Sequence, residues 1–144
     1  MASSTRHTVE RFFSSLTARE WARLGTVLSE RVLRVGPFGD QVSGRGEYLD
    51  FLRGTVPADY RNDVVRIIDA ADGSSAFARV TEHLRYGDQE FHLEEAYSFD
   101  FDEDGLICRV EIYWQTPHAD PDGFGSAAGK DSYRSTAAPE PDTG

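Results

Sequence analysis

Glu95 is the side chain of this sequence best placed to do chemistry. Around it Phe91, Leu93, Tyr97, Phe99 and Phe101 alternate with Glu90, His92, Glu94, Ser98 and Asp100, the period of two that marks a half-buried strand. Glu95 falls on the apolar side, between Leu93 and Tyr97. An unpaired buried carboxylate is costly enough that it finds a cation, takes up a proton or lines a wet cavity. The last two outcomes are how acid–base sites arise; the other reading is an edge of the core where Glu95 reaches solvent or an Arg.

The preceding strand offers a second acid. Ala76, Ala78, Val80, Leu84 and Tyr86 make its more apolar side, and Glu82 shares that side. Pairing about a Gly87-Asp88 turn sets Glu82 either opposite Glu95 or one diagonal step away, depending on loop length, and such neighbours touch across a sheet. Two carboxylates that close share a proton, giving an acid and a base in one site. Arg34, Arg79 or Arg85 could instead neutralise one of them, and the strand could face the other way, turning Arg79, Thr81, His83 and Arg85 inward. Tyr97, about 7 Å from Glu95 along the strand, adds a phenol to the same group. Glu95, Tyr97 and Glu82 are therefore the candidate catalytic residues, with Trp114, Phe12, Phe99, Ile112 and Phe51 as candidate walls for an apolar ligand. For each of these five, core packing is the alternative, and for Phe51 and Phe99 the favoured one.

The elements that would position them follow from periodicity. Val9, Phe12, Phe13 and Leu16 give a helix with one buried face over Thr8 to Leu16. Thr17 and Glu20 form a capping box that predicts a second helix carrying Trp21, Leu24 and Leu28 to about Ser29. Val32 to Val35 and Gln41 to Gly44 read as a short strand pair around Gly36-Pro37-Phe38-Gly39-Asp40. Glu47 to Arg53 is a third helix, ended by Gly54 and Pro57. Strands are predicted at Asn62 to Ala70, Ala76 to Tyr86, Phe91 to Phe101 and Leu106 to Gln115, joined by Asp72-Gly73, Gly87-Asp88 and Asp104-Gly105 turns that favour antiparallel hairpins. Helices first and sheet second make an α+β domain.

Length and composition bound the rest. The 144 residues, 39% hydrophobic and 12% aromatic, suit one globular domain: residues 1–7 a flexible start, 8–116 the domain, 117–144 a Gly, Pro, Ala, Ser and Asp-rich tail expected to be mostly disordered. Within that tail a stretch around Phe124 could fold back over a pocket mouth. The net charge of −10 argues against nucleic acid and anionic membranes as partners. The absence of a leader-like apolar run points to a cytoplasmic protein. The single Cys108 reads as a small core residue. His7, His83, His92 and His118 lack metal-ligand spacing, and neither a phosphate loop nor a nucleophile elbow is present. The expectation is chemistry without metal or cofactor.

The order of elements, the Pro37-Phe38-Gly39 turn, and the run Phe101-Asp102-Glu103-Asp104-Gly105-Leu106-Ile107 leading to Tyr113-Trp114 resemble the nuclear-transport-factor-two-like superfamily. Within it the chain resembles the SnoaL-like polyketide cyclases and ketosteroid isomerases over residues 8–116. The resemblance implies a cone-shaped α+β barrel: three N-terminal helices against a curved, mainly antiparallel sheet that encloses an apolar pocket, with homodimers formed through the outer sheet face. It also implies which positions to compare. Phe12 stands where ketosteroid isomerases carry an oxyanion Tyr, Gly36 where they carry the base Asp, and Tyr97 where they carry a second oxyanion donor. His83, Arg85 and Ile112 replace the Arg and Asp residues of limonene-type epoxide hydrolases. Gln115 lies where the cyclases place an Asp near the end of the last strand. Trp114 matches a pocket-lining position.

The reading that follows is a cofactor-independent cyclase of secondary metabolism acting on a hydrophobic polyketide-like intermediate. Ring closure would use Glu95, Glu82 and Tyr97, or the pocket would fold a flexible chain for cycloaddition; the missing family carboxylates favour the second. An isomerase or dehydratase is an alternative on the same fold. The competing class is a non-catalytic binding module with a plugged pocket, whose outer face, with Ile107, Arg109, Glu111 and Tyr113 turned outward, binds itself or a partner.

Overall fold

The computed structural model describes residues 4–115, and the expectations about the tail beyond Pro117, Phe124 included, lie outside those residues. The elements are α1 (Ser4–Ala18), α2 (Trp21–Gly25), β1 (Leu28–Val35), β2 (Gln41–Ser43), α3 (Arg45–Thr55), β3 (Arg61–Asp69), β4 (Ser75–Tyr86), β5 (Gln89–Phe101) and β6 (Ile107–Trp114). Helix α1 buries the expected stripe of Val9, Phe12, Phe13 and Leu16, but begins at Ser4, ahead of Thr8. The predicted capping box is not used. Thr17 lies inside α1, whose end is set by Arg19 in the left-handed region at φ 57°, and Glu20 makes no side-chain cap for α2. Thr17 Oγ1 instead accepts the backbone N–H of Asn62 at 3.3 Å. The second helix is correspondingly one short turn, because Leu28 already belongs to β1 and pairs with Ile107 of β6.

Six strands form one sheet in the order β2-β1-β6-β5-β4-β3. All neighbours run antiparallel except β1 and β6, which are parallel. The outermost strands β2 and β3 leave two open edges, so the sheet is not closed into the barrel that the resemblance implied. Its inner face packs on α1 and α3, and the core runs from Val9, Phe12 and Phe13 on α1 to Phe99, Val110 and Leu28 on the sheet. Burying such side chains contributes about 1.5–3 kcal/mol each. Among the described residues no helix is long and apolar enough to cross a membrane.

A bulge in the last hairpin changes two readings. Phe101 pairs with Ile107 while Asp100 pairs with Arg109, so Cys108 is an extra residue on β6 and the alternation slips by one. Ile107 is consequently core, not outer face. Cys108 is only partly covered, with its Sγ donating to the Asp100 carbonyl at 3.4 Å, and is not a core residue.

Candidate functional site

The acids are positioned by the tightest turn of the sheet. Tyr86 pairs with Gln89, leaving a two-residue loop in which Gly87 takes φ 64°, a conformation that costs glycine nothing. This loop length sets Val80 opposite Glu95 and Glu82 opposite Leu93, so Glu82 and Glu95 are diagonal neighbours on one face. That face is the inner one: Ala76, Ala78, Val80 and Glu82 are buried while Arg79 is exposed. The two carboxyl residues are 7% and 6% exposed respectively.

No cation pairs with either acid among the described residues. Arg34, the nearest candidate, binds Asp40 at 2.5 Å, and Arg85 binds Asp59 and Glu90 at the surface. The acids are surrounded by phenols instead. The Tyr97 hydroxyl donates to Glu82 Oε1 at 2.9 Å. Tyr60 sits beside Glu82 with its own oxygen accepting from Asn62 Nδ2 at 3.2 Å. Glu95 Oε2 is buried with no partner at all. Burial first, and then the charge of Glu82, push the Glu95 carboxyl well above the ordinary glutamate range, so Glu95 retains a proton where a surface glutamate has lost it. Burial and the same carboxyls hold Tyr97 and Tyr60 above the usual phenol range, which keeps both as neutral donors.

These groups line a cavity whose walls include Tyr48, Phe51, Leu84, Tyr86, Ile112 and Trp114, with Arg34 and Pro37 on its β1 side. Strand β6 supplies two of them by register, Trp114 beside Glu95 and Ile112 beside Tyr97. The cavity encloses about 540 Å³ between its walls, open solvent at its mouth included, of which about 60 Å³ is open to the centre of a water molecule. That is room for a small cluster of waters or one end of a larger guest. A wider groove of about 1490 Å³, open solvent again included, lies between α1 and the β5–β6 turn and is lined by Glu10, Arg11, Ser14, Arg23 and Asp104. It brings no buried acid into contact with another, so the smaller cavity is the candidate site.

Of the residues expected from the sequence, Glu82, Glu95, Tyr97, Phe51, Ile112 and Trp114 meet at this cavity, whereas Phe12 and Phe99 do not. Both are fully buried, with ring centroids 5.2 Å apart edge to face, and each packs also on Phe13 and Tyr97. Five aromatic contacts of this kind make solid core rather than a wall. Tyr48, Tyr60, Arg34 and Asp40 were not among the expected site residues. Tyr60 follows Pro57 in a loop and Tyr48 lies in the buried stripe of α3, so neither shows a pattern that sets it apart from packing.

The hairpin between β1 and β2 explains Gly36. A Cβ built there would lie 2.3 Å from Asp40 Oδ1 and 2.6 Å from an Arg34 terminal nitrogen, far inside contact distance. The buried Arg34–Asp40 pair thus fills the space a side chain at position 36 would need, and the carboxylate that ketosteroid isomerases carry there has no room in this chain.

Residues 9–110 match the SnoaL-like domain, and this chain belongs to that family. A candidate ketosteroid isomerase from Kribbella flavida is similar at 30% identity, over 79% of each chain, with a TM-score of 0.68. A candidate polyketide cyclase from Xanthomonas campestris shares 20% identity over 77% of this chain and 90% of its own, TM-score 0.68. An epoxide hydrolase from Mycobacterium tuberculosis of the LEH-like kind shares 19% over 77% and 82%, TM-score 0.67. No curated protein matches the sequence. The fold is that of these neighbours, but one fold with three named activities leaves the reaction to be argued from the site.

Proposed function

We propose that this chain is a cofactor-independent acid–base enzyme of the cyclase or isomerase kind, acting on the carbonyl end of a hydrophobic, polyketide-like compound. The observation that carries the proposal is the pair Glu82 and Glu95, buried together without a cation, one oxygen of Glu95 unpartnered in a cavity. An acid that holds its proton beside a base is what enolisation needs. Glu82, held by Tyr97, takes a proton from the carbon next to a carbonyl while Glu95 gives its proton to the carbonyl oxygen, forming the enol. In ring closure the enol carbon bonds to a second carbonyl carbon. The proton on Glu82 passes to the new alkoxide, and the enol O–H proton returns to Glu95 as the first carbonyl re-forms. In isomerisation the proton on Glu82 is delivered to another carbon instead.

The narrow cavity supports this proton-transfer route over cycloaddition, since only a small part of it, about 60 Å³, is wide enough to admit the centre of a water molecule, which leaves little space to fold a whole polyene. The Tyr97 proton is already engaged by Glu82, which makes Tyr97 a positioning residue for Glu82 and not a donor to the guest. Deuterium exchange into the α-carbon of simple enolisable ketones, followed by NMR, tests the proposal without knowledge of the natural substrate. Glu95→Gln and Glu82→Gln should each lower the exchange rate about 10²–10⁴-fold with the fold retained; wild-type rates in both variants would overturn it. Exposed Ile68, Phe77 and Tyr113 on the outer sheet face support self-association through that face, which sedimentation of the full chain checks.

A further inference from the structure

The cavity has a second polar pole that the proton-transfer step does not use. Arg34 lies on β1, opposite Val42 of β2 and Val110 of β6, and is 4% exposed. One terminal nitrogen of its guanidinium binds Asp40 at 2.5 Å. Its plane is backed by the Phe51 ring, whose centroid is 4.4 Å away. Missing side-chain atoms at Gly36 make the room for this arrangement. The guanidinium is thus fixed on three sides, by an ion pair, an aromatic face and a turn. Its Nε–H is nevertheless buried with no hydrogen-bond partner.

A buried N–H without a partner carries a desolvation penalty that native structures rarely leave uncompensated. Arg34 and Glu95 both line the same cavity, and each has one unpartnered buried atom. Glu95, carrying a proton, is a donor, and Arg34 is a donor in any state. A guest with a single acceptor oxygen satisfies one and leaves the other stranded. A guest with two acceptor oxygens satisfies both.

We infer that Arg34, held by Asp40 and Phe51, is a second substrate anchor, and that the cavity selects a guest presenting two acceptor oxygens, one to Glu95 and one to Arg34 Nε. Charge disfavours a carboxylate in the second place, because Asp40 already neutralises Arg34 and Glu82 is close by. Two neutral carbonyl groups meet that requirement. The inference rests on the proposed function only in taking this cavity as the binding site. It adds the substrate feature that sets specificity and assigns Arg34 to binding rather than to proton transfer.

Pentane-2,4-dione and pentan-2-one, equal in chain length and differing by one carbonyl, are the probes, with affinities for the full-length protein measured by calorimetry near pH 6. The wild type should bind the dione at least about ten-fold more tightly, the worth of one hydrogen bond from a charged donor. In Arg34→Met/Asp40→Asn, which removes both charges at near-constant volume, the ratio should fall to about one. Arg34→Lys keeps a cation for Asp40 but has no Nε–H, so it should keep the fold and lose the preference, covering the case where the double variant does not fold. Glu95→Met, which has no donor, should weaken both probes and leave the ratio nearer the wild-type value than the Arg34 variants do. A preference that survives in both Arg34 variants, a wild type without preference, or binding of neither probe would overturn the inference. Loss of α-carbon exchange alone, with the dione preference intact, would count against the proposed reaction and leave the Arg34 anchor standing.

Discussion

Strands β4 and β5 carry ionisable side chains on both faces, and the two faces treat them in opposite ways. On the outer face several polar groups meet complementary ones across the strands: Thr81 Oγ1 donates to Glu94 at 3.1 Å, Arg85 binds Glu90, and His83 lies between His92 at 2.6 Å and Asp63 at 2.7 Å. On the inner face of the same strands Glu82 and Glu95 are diagonal neighbours lining one cavity, with phenols around them and no paired cation among the described residues. Water screens the outer set, so its pairing contributes little. The inner set has no such shield and its arrangement costs stability. The fold thus keeps an uncompensated acid pair beside a cavity while several charged groups on the face behind it find partners.

The sharpest way to break this comparison is to neutralise one inner acid. Glu95→Gln should reduce proton-transfer activity about 10²–10⁴-fold, measured as exchange into a ketone, while Glu94→Gln, one residue along on the outer face, should leave it within two-fold. Removing the phenol is next in size. Tyr97→Phe strips Glu82 Oε1 of its donor in a buried place, and should lower stability by about 1–3 kcal/mol in denaturant titration. The pH dependence should follow the inner pair as well. Because the folded chain holds the Glu95 proton more tightly than the unfolded chain does, this contribution is fully present below the ordinary glutamate value near 4.5 and is lost as pH rises through the raised value. The difference in Tm between wild type and Glu95→Gln should therefore shift against the wild type from about pH 5 upward; a difference independent of pH would place Glu95 in water-like surroundings. Smallest of all, Thr81→Val or Glu94→Ala on the outer face should change stability by no more than about 0.5 kcal/mol in the same titration.

The inner acids were legible because strand alternation is strict. Glu95 between Leu93 and Tyr97 is visible as a charge on the wrong side, and the two-residue Gly87-Asp88 loop narrows Glu82 to two positions, of which the diagonal is the one formed. Alternation states direction and not what lies in that direction: Phe12, a candidate wall, proves to be core, Phe99 is the core residue that packing favoured, and Phe51, favoured as core, lines the cavity instead. Phe12 and Phe99 both point inward as expected, but onto Phe13 and each other, where no space remains. Arg34 and Asp40 were hidden for a different reason. Their pairing needs the β1–β2 turn closed, with the Gly36 N–H donating to the Asp40 carbonyl at 2.8 Å, and six residues of separation with no periodic pattern gave no hint of it. The bulge at Cys108 was equally invisible, since one inserted residue leaves composition and hydrophobicity untouched.

The hydrogen atom that serves as side chain at position 36 also limits where this protein can evolve. Installing an acid there would drive it into Asp40 and Arg34, so the substitution that would graft the isomerase base onto this scaffold damages folding before it can confer any benefit. Position 36 would accept a larger residue only if the ion pair shifted or was replaced. The base cannot therefore be installed by one substitution without disturbing a buried ion pair, an obstacle that sequence distance alone does not show.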